Sequence, residues 1–375
     1  MSSNLKPITM PKWGLSMKEG SISKWFKFKG EKISKGEMLL EIETEKVVNE
    51  MECPEDGKIL KICASEGATV PVGSLIAVCG IDESSENEID EFINEFNSNF
   101  VSEVSLEENE ESNNEKIKIS DIEINFVKII NSKEHSLLFI HGFGGDLNNW
   151  MFNQNELSNN FNTYALDLPG HGLSEKVIHN SSLDELSALI SSFCQKNNLE
   201  TINIIAHSFG AGIAIKTASL NKDLVKSLTL ISPIGLGKEI DYDYLENFIN
   251  SDSRKDLKKE IEKLYFNTDI ITRDMINEVL KFLRIDNVKD TLKIIKNEII
   301  NNQVQKNNLV DEINSLNIPI SVIWGKEDKI IPSNHSEVLN DKIKKFLEKE
   351  CGHMVHIEKP SAVNKVITST IINNI

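Results

Sequence analysis

The segment Gly20–Leu40 recurs 37 positions later as Gly57–Ala77, and this repeat limits what the first part of the chain can fold into. Gly20, Gly30 and Gly36 fall on Gly57, Gly67 and Gly73, while Ile22, Ile33 and Leu39 fall on Ile59, Val70 and Ile76. Lys24 falls on Lys61. A self-similar period fixes architecture: one β-rich half is used twice, with glycines at the turns. Between the halves lies Glu43-Thr44-Glu45-Lys46-Val47. Two strands, Met38–Ile42 and Val47–Met51, are expected to meet there in a tight turn. A lysine on such a turn projects into solvent from a rigid scaffold, as a tethered carrier group requires. An ordinary surface lysine is the plain alternative, and the repeat weighs against it.

Met10-Pro11-Lys12-Trp13-Gly14-Leu15-Ser16-Met17 together with Glu43–Val47 resembles a lipoyl domain of the 2-oxo-acid dehydrogenase type. The resemblance covers about residues 5–81 and implies lipoate carried covalently on Lys46. Biotin domains share the fold, but they flank their lysine with methionines, which Thr44-Glu45-Lys46-Val47 lacks.

A chain of 375 residues suits two domains. No apolar run approaches the roughly 18 residues of a membrane span, and Met1–Pro7 lacks the apolar core of a secretory leader. No membrane association is expected. Five cysteines with no C-x-x-C pair and no metal-like spacing read as reduced thiols in a cytoplasmic protein, with no metal. The net charge of −17 is uneven: residues 1–81 carry 11 basic and 11 acidic side chains, residues 82–115 carry 13 acidic and no basic ones. Nucleic-acid binding therefore has no support.

Residues 82–115 lack Pro and Gly, are rich in Glu, Asn and Ser, and read as an extended linker. A flexible-coil span would be roughly 30–35 Å. Within it Ile89, Phe92, Ile93, Phe96, Phe100 and Val104 recur at helical spacing. They predict either a transient helix or an acidic docking helix for a basic partner.

From about Ile117 short apolar runs alternate with helical patterns, the signature of a parallel sheet with crossover helices. Leu137–Ile140, Thr163–Leu168, Ile202–Ala206, Ser227–Ile231 and Ile320–Trp324 are its expected strands. The polar, helical stretch 234–312 is expected to form a cap over the sheet's carboxyl edge.

The chemistry is expected at that edge. Ser208, in Ala206-His207-Ser208-Phe209-Gly210, follows a strand and opens a helix. The usual G-x-S-x-G has glycine where Ala206 stands, and a methyl is small enough to serve. A buried turn serine is the alternative. In His141-Gly142-Phe143-Gly144-Gly145 the Phe143 N–H can point at a carbonyl oxygen, and with the Phe209 N–H it would stabilise an oxyanion. Asp328, just past a strand, could orient an imidazole; Glu327 is its rival. His353 in Gly352-His353 is the expected general base, with His356 competing. His141, His171 and His207 read as structural, and His135, His179 and His335 as surface residues. The order Ser208, Asp328, His353 is that of α/β-hydrolases.

The expected architecture is thus an all-β lipoyl/biotinyl-type barrel sandwich (1–81), a flexible acidic linker (82–118) and an α/β-hydrolase domain (119–375) with its helical cap. Taken whole, through Met10–Met17, His141–Gly145, Asp167–Ser174, Ala206–Gly210, Trp324–Asp328 and Gly352-His353-Met354, the chain resembles dihydrolipoamide acetyltransferase components of acetoin dehydrogenase complexes. The resemblance implies acetyl transfer from S-acetyl-dihydrolipoyl-Lys46 to coenzyme A, through acetyl-Ser208 by the residue reading. It also implies two partners, a thiamine-diphosphate-dependent acetoin-cleaving enzyme and dihydrolipoamide dehydrogenase; a homo-oligomer is expected. Two features depart from other lipoyl acyltransferases: H-x-x-x-D-G is absent, and the linker shows no peripheral subunit-binding domain. A serine hydrolase merely localised by a lipoyl domain is the alternative reading.

Overall fold

The computed structural model describes residues 5–11, 19–43, 48–80, 85–94, 96–97, 114–178 and 181–372. Contacts divide the chain into two units, Met1–Ser112 and Asn113–Ile375.

The repeat builds the first unit. Its strands are β1 (Leu5–Thr9), β2 (Glu19–Trp25), β3 (Lys32–Ile33), β4 (Met38–Glu43), β5 (Val48–Glu52), β6 (Gly57–Ile62), β7 (Thr69–Pro71) and β8 (Leu75–Gly80). They form two four-stranded sheets, ordered β1-β8-β6-β3 and β5-β4-β2-β7. The 37-residue shift carries β4 onto β8 from end to end. The halves interlock because β3 crosses over to β6 while β7 crosses over to β2. At the repeated turns Gly30 and Gly67 have φ of +92° and +80°, a region other residues enter only with strain. Ile22, Leu40, Ile42, Ile59 and Ile76 fill the space between the sheets.

Lys46 and residues 12–18 lie outside the described residues. What is described is the frame around Lys46: Glu43 stands opposite Val48 in the β4–β5 ladder. The 37-residue shift carries Glu43 onto Gly80, which stands opposite Leu5 in the β1–β8 ladder.

The acidic segment departs from the expected flexible linker at both ends. Residues 86–94 form a helix, α1. Its start is a capping box in which Ser85 Oγ accepts from the Glu88 N–H and Glu88 accepts from the Ser85 N–H. Ile89, Phe92, Ile93 and Phe96 pack on Leu5, Leu60, Leu75 and Val78 of the sandwich. The apolar stripe as far as Phe96 is therefore packed within its own unit, which corrects the transient-helix expectation, while Phe100 and Val104 lie outside the described residues. Removing those side chains from water outweighs the repulsion among the acids on the other face. At the other end Asn114–Ile119 is already a strand, β9, so the segment read as 82–118 is regular structure on each side of residues 98–113, which lie outside the described residues.

The second unit continues with β10 (Ile122–Ile129), β11 (Ser136–Ile140), α2 (Met151–Ser158), β12 (Asn162–Leu166), α3 (Leu183–Lys196), β13 (Ile202–His207), α4 (Phe209–Leu220) and β14 (Val225–Ile231). An insertion follows: α5 (Tyr242–Asn250), α6 (Arg254–Lys263), α7 (Arg273–Leu283), α8 (Val288–Ile299), the small hairpin β15 (Ile300–Asn301) with β16 (Val304–Gln305), and α9 (Val310–Ser315). The chain then returns to the sheet as β17 (Ile320–Gly325) and β18 (Lys344–Glu348) and closes with α10 (Val355–Glu358) and α11 (Pro360–Ile372). Among the described residues the sheet has eight strands, ordered β18-β17-β14-β13-β11-β12-β10-β9, parallel from β12 through β18 and antiparallel at β9 and β10.

Successive residues of the central strands face opposite layers. Leu138, Ile140, Ile204, Ala206, Leu228 and Leu230 join the core with α3, α4 and the inserted helices. Leu137, Phe139, Ile205 and Ile231 join the core with α2 and α11. With both faces covered, the parallel strands read as unbroken apolar runs, and the functional side chains are left to the loops at the carboxyl edge.

Candidate active site

β13 ends at His207 and α4 begins at Phe209, so Ser208 alone makes the turn between them, with φ +53° and ψ −113°. Such strain persists only where neighbours over-determine it. Here the Ser208 N–H donates to Ile231 O at 2.9 Å and its carbonyl accepts from Ala211, Gly212 and Ile234. Close approach on both sides also demands small residues. A Cβ on Gly210 would lie 2.4 Å from His141 O, and one on Gly142 would lie 3.1 Å from Ser208 Cβ. The loop carrying Phe143 is thus pressed against the nucleophile position.

Asp328 follows β17, and its side chain is fully shielded from solvent. Oδ1 accepts from the main-chain N–H groups of Ile330 (2.8 Å) and Ile331 (3.0 Å). Oδ2 accepts from Trp324 Nε1–H (3.0 Å) and lies 2.7 Å from His353 Nδ1. A carboxylate so placed makes Nδ1 the protonated nitrogen and leaves the lone pair on Nε2. The rivals do not form this pair. Glu327 accepts from the Cys351 N–H. His356 is buried between Trp150 and His207, with ring centroids 4.5 and 4.7 Å away. Burial lowers its pKa to about 3.

The His353 loop is held from three directions. Its N–H donates to Leu264 O at the end of α6, and its carbonyl accepts from His207 Nε2–H at 3.1 Å. The His207 and His353 rings lie 4.6 Å apart, which brings His353 to the residue directly before Ser208. Glu358 ties the inserted helices to the same loop, accepting from Phe266 and Asn267 on one oxygen and from Gly352 on the other. Those helices also reach the Phe143 loop, where Phe248 of α5 and Phe143 have ring centroids 6.0 Å apart, and the loop after β12, where Phe282 of α7 stacks on His171 at 6.3 Å.

The two backbone N–H groups expected as oxyanion donors can be located. Phe209 is the first residue of α4, so its N–H has no partner within the helix. The Phe143 N–H has no hydrogen-bond partner among the described residues. A strained serine with two free backbone N–H groups near it in the chain, and an imidazole with one nitrogen held by a buried carboxylate, are the kinds of group that acyl transfer through a covalent intermediate uses. His335, read as a surface residue, is instead buried against Trp324 and hydrogen-bonded to Glu239 at 2.8 Å. His179 lies outside the described residues. His207 was legible only as part of the elbow, because a hydrogen bond to a carbonyl 146 positions away leaves no local signal.

Comparison with known proteins agrees with both halves. Residues 135–360 match the α/β-hydrolase fold family, and residues 6–79 match the family described as biotin-requiring enzyme. A dihydrolipoyllysine-residue acetyltransferase component of an acetoin cleaving system from Pseudomonas putida is 34% identical over 97% of this chain and 97% of its own. A protein of the same description from Cupriavidus necator is 30% identical over 98% and 97%. This chain belongs to that acetyltransferase-component family. Among solved structures, a meta-cleavage product hydrolase from Pseudomonas fluorescens superposes with a TM-score of 0.63 at 18% identity, covering 70% of this chain and 98% of that one, a likeness of fold.

The frame of the first unit fits the lipoyl group that membership in this acetyltransferase-component family implies. Residues 44–47 are carried between the paired ends of β4 and β5, and Leu40 and Ile42 behind them are buried.

Proposed function

We propose that this protein transfers an acetyl group from a thioester presented on Lys46 to coenzyme A, by way of an acetyl ester on Ser208. The observation that carries the proposal is the union, in one chain related over its full length to acetyltransferase components, of a lipoyl-type sandwich with a strained serine beside an Asp328–His353 pair. Lipoate in amide linkage to Lys46 supplies a dithiol that holds the acyl group as a thioester.

The remaining steps belong to the chain's own residues. His353 Nε2 takes the Ser208 hydroxyl proton as Oγ adds to the thioester carbonyl, and the Phe143 and Phe209 N–H groups receive the developing oxyanion. Asp328 holds Nδ1 and stabilises the imidazolium without taking its proton. Collapse breaks the C–S bond, and His353 returns the proton to the departing sulfur. In the second half the coenzyme A thiol gives its proton to His353 and attacks the acyl carbon, and Ser208 leaves with that proton.

The working division is a lipoyl domain over 1–81, a connector, and a catalytic domain over 119–375 whose insertion 234–312 acts as the cap. The protein works as one component of a multienzyme acetoin cleaving system. It takes acetyl groups generated by a thiamine-diphosphate-dependent enzyme and has its dithiol reoxidised by dihydrolipoamide dehydrogenase. A cytoplasmic homo-oligomer suits that role. Among the described residues no helix is long and apolar enough to cross a membrane. The test is an assay of lipoylated protein charged with acetyl groups. Acetyl-coenzyme A that disappears with Ser208→Ala supports the proposal; free acetate instead indicates a hydrolase, and no product overturns both.

A further inference from the structure

Stabilisation of an oxyanion by Phe143 depends on which way one peptide plane is turned. The C=O and N–H of a trans peptide point in opposite directions, so whatever holds the Gly142 carbonyl also aims the Phe143 N–H. Gly142 O lies 2.7 Å from His141 Nδ1 and accepts from the Gly145 N–H at 3.2 Å. The next amide along, Gly144 N–H, donates to His171 Nε2 at 3.1 Å. His171 sits on the neighbouring loop, after β12. In return that loop sends the Leu168 N–H to His141 Nε2 at 3.0 Å.

Both tautomers follow from partners whose roles are unambiguous. A backbone N–H can only donate and a carbonyl can only accept. His141 Nε2 therefore carries a lone pair, and its proton is on Nδ1, facing Gly142 O. His171 Nε2 likewise carries a lone pair, and its Nδ1–H, at 3.1 Å, faces Pro169 O. Each loop contributes one imidazole and receives a bond from the other's backbone, and the two rings meet edge-on at 4.9 Å.

We propose that His141 and His171 are positioning residues, a reciprocal lock between the two loops that keeps the Phe143 amide turned toward the carbonyl oxygen of the reacting acyl group. This deepens, and rests on, the acyl-Ser208 reading above. The lock requires both rings neutral, since a proton on either Nε2 would face a backbone N–H. Burial keeps both pKa values below the ordinary histidine range. The charged and titratable neighbours are Asp167, which favours the charged form of His141, and Lys176, which with His141 disfavours that of His171. His207, which a Cβ on Gly142 would meet, is a further titratable neighbour whose charged form His141 disfavours, and Phe282, stacked on His171, is uncharged.

The test compares His171→Asn with His171→Gln in the full-length lipoylated protein. The Asn amide can bond Pro169 but cannot span to Gly144, whereas the longer Gln can present its carbonyl to the Gly144 N–H. Asn is expected to lower kcat for acetyl transfer about 10- to 100-fold, with KM within about two-fold. Affinity for a trifluoromethyl ketone, whose adduct oxyanion uses the same donors, should fall in parallel. Gln should restore most of both. Equal activity of the two variants, or a loss confined to KM, would overturn the lock. On unsubstituted protein, nitrogen-15 spectra should show both imidazoles neutral with Nδ1 protonated at neutral pH; an Nε2–H signal from either contradicts it even if the Asn variant does not fold. If the unsubstituted protein forms no acetyl-Ser208, the failure lies with the acyl-enzyme reading. If it does, and the Asn variant acylates at the same rate, the lock alone is wrong.

Discussion

Four donors converge on the Asp328 carboxylate: Trp324 Nε1–H, the Ile330 and Ile331 main-chain N–H groups, and His353 Nδ1–H. Replacing it by asparagine puts an NH2 where one of these donors now points. Relief comes if His353 moves its proton to Nε2, where it can no longer accept from Ser208. Asp328→Asn is therefore expected to fold and to lose about 10³- to 10⁴-fold in kcat for acetyl transfer, measured by steady-state kinetics. A loss under ten-fold would mean that His353 is oriented by other contacts. These residues were legible because chemistry leaves local signatures: a serine between a strand and a small-residue helix start, an acid just past a strand, a histidine after glycine. The supports were not legible. Trp324 reads as a core residue until its indole N–H is found on Asp328, and Glu358 reads as a surface acid until its carboxylate is found bridging Phe266, Asn267 and Gly352. The Glu358 bonds go to main-chain N–H groups, which have no code, and the Trp324 bond, though only four residues long, depends on how the chain turns after β17.

At the scale of elements, the lipoyl-type sandwich was the most readable part, since a repeat with matched glycines specifies strand ends as well as strand identity. β18 was missed for a physical reason: Lys344-Lys345-Phe346-Leu347-Glu348 is a charged edge strand, and its charges deter pairing with other chains while masking the alternation. α1 shows the opposite error, because composition argued for an open linker while four apolar side chains at helical spacing found a sheet face to cover. Phe92→Asp should cost the first unit about 1–2 kcal/mol, the loss of one partly buried aromatic. Hydrogen exchange of full-length protein should then show faster exchange in β1 and β8, with β13 and β17 unchanged. Unaltered protection of β1 and β8 would show that α1 adds nothing to the sandwich.

For the molecule as a whole, the buried histidines set the acid limit. Burial lowers the pKa of His141, His171, His207 and His356, the last to about 3. In the unfolded chain each titrates near about 6.5. Between its folded value and that pH the unfolded state binds more protons, so stability rises with pH. The stabilisation is complete above about pH 6.5 and is lost as pH falls, by up to about 1.4 kcal/mol per pH unit per group. Asp146, pushed up to about 6 by burial and by Asp167, acts in the opposite sense between the ordinary carboxylate range and about 6. With four groups against one, denaturant midpoints of the catalytic unit should drop steeply from pH 6.5 to pH 4.5; a flat profile would contradict neutral burial. The tether makes a separate prediction: Lys46→Arg should abolish turnover of acetyl groups delivered through the lipoyl unit, yet leave acylation by a small free thioester within about two-fold, as a mass and product assay would show.

The central claim is a covalent acetyl ester on the serine at the elbow, and it can be observed directly. Protein charged with acetyl groups in the absence of coenzyme A, quenched in acid, digested and analysed by mass spectrometry, should carry one acetyl increment on the peptide containing Ser208. The increment should vanish when coenzyme A is added before the quench, and it should not form in His353→Ala. An unmodified Ser208 peptide alongside normal production of acetyl-coenzyme A would mean direct transfer between thiols and would contradict the account.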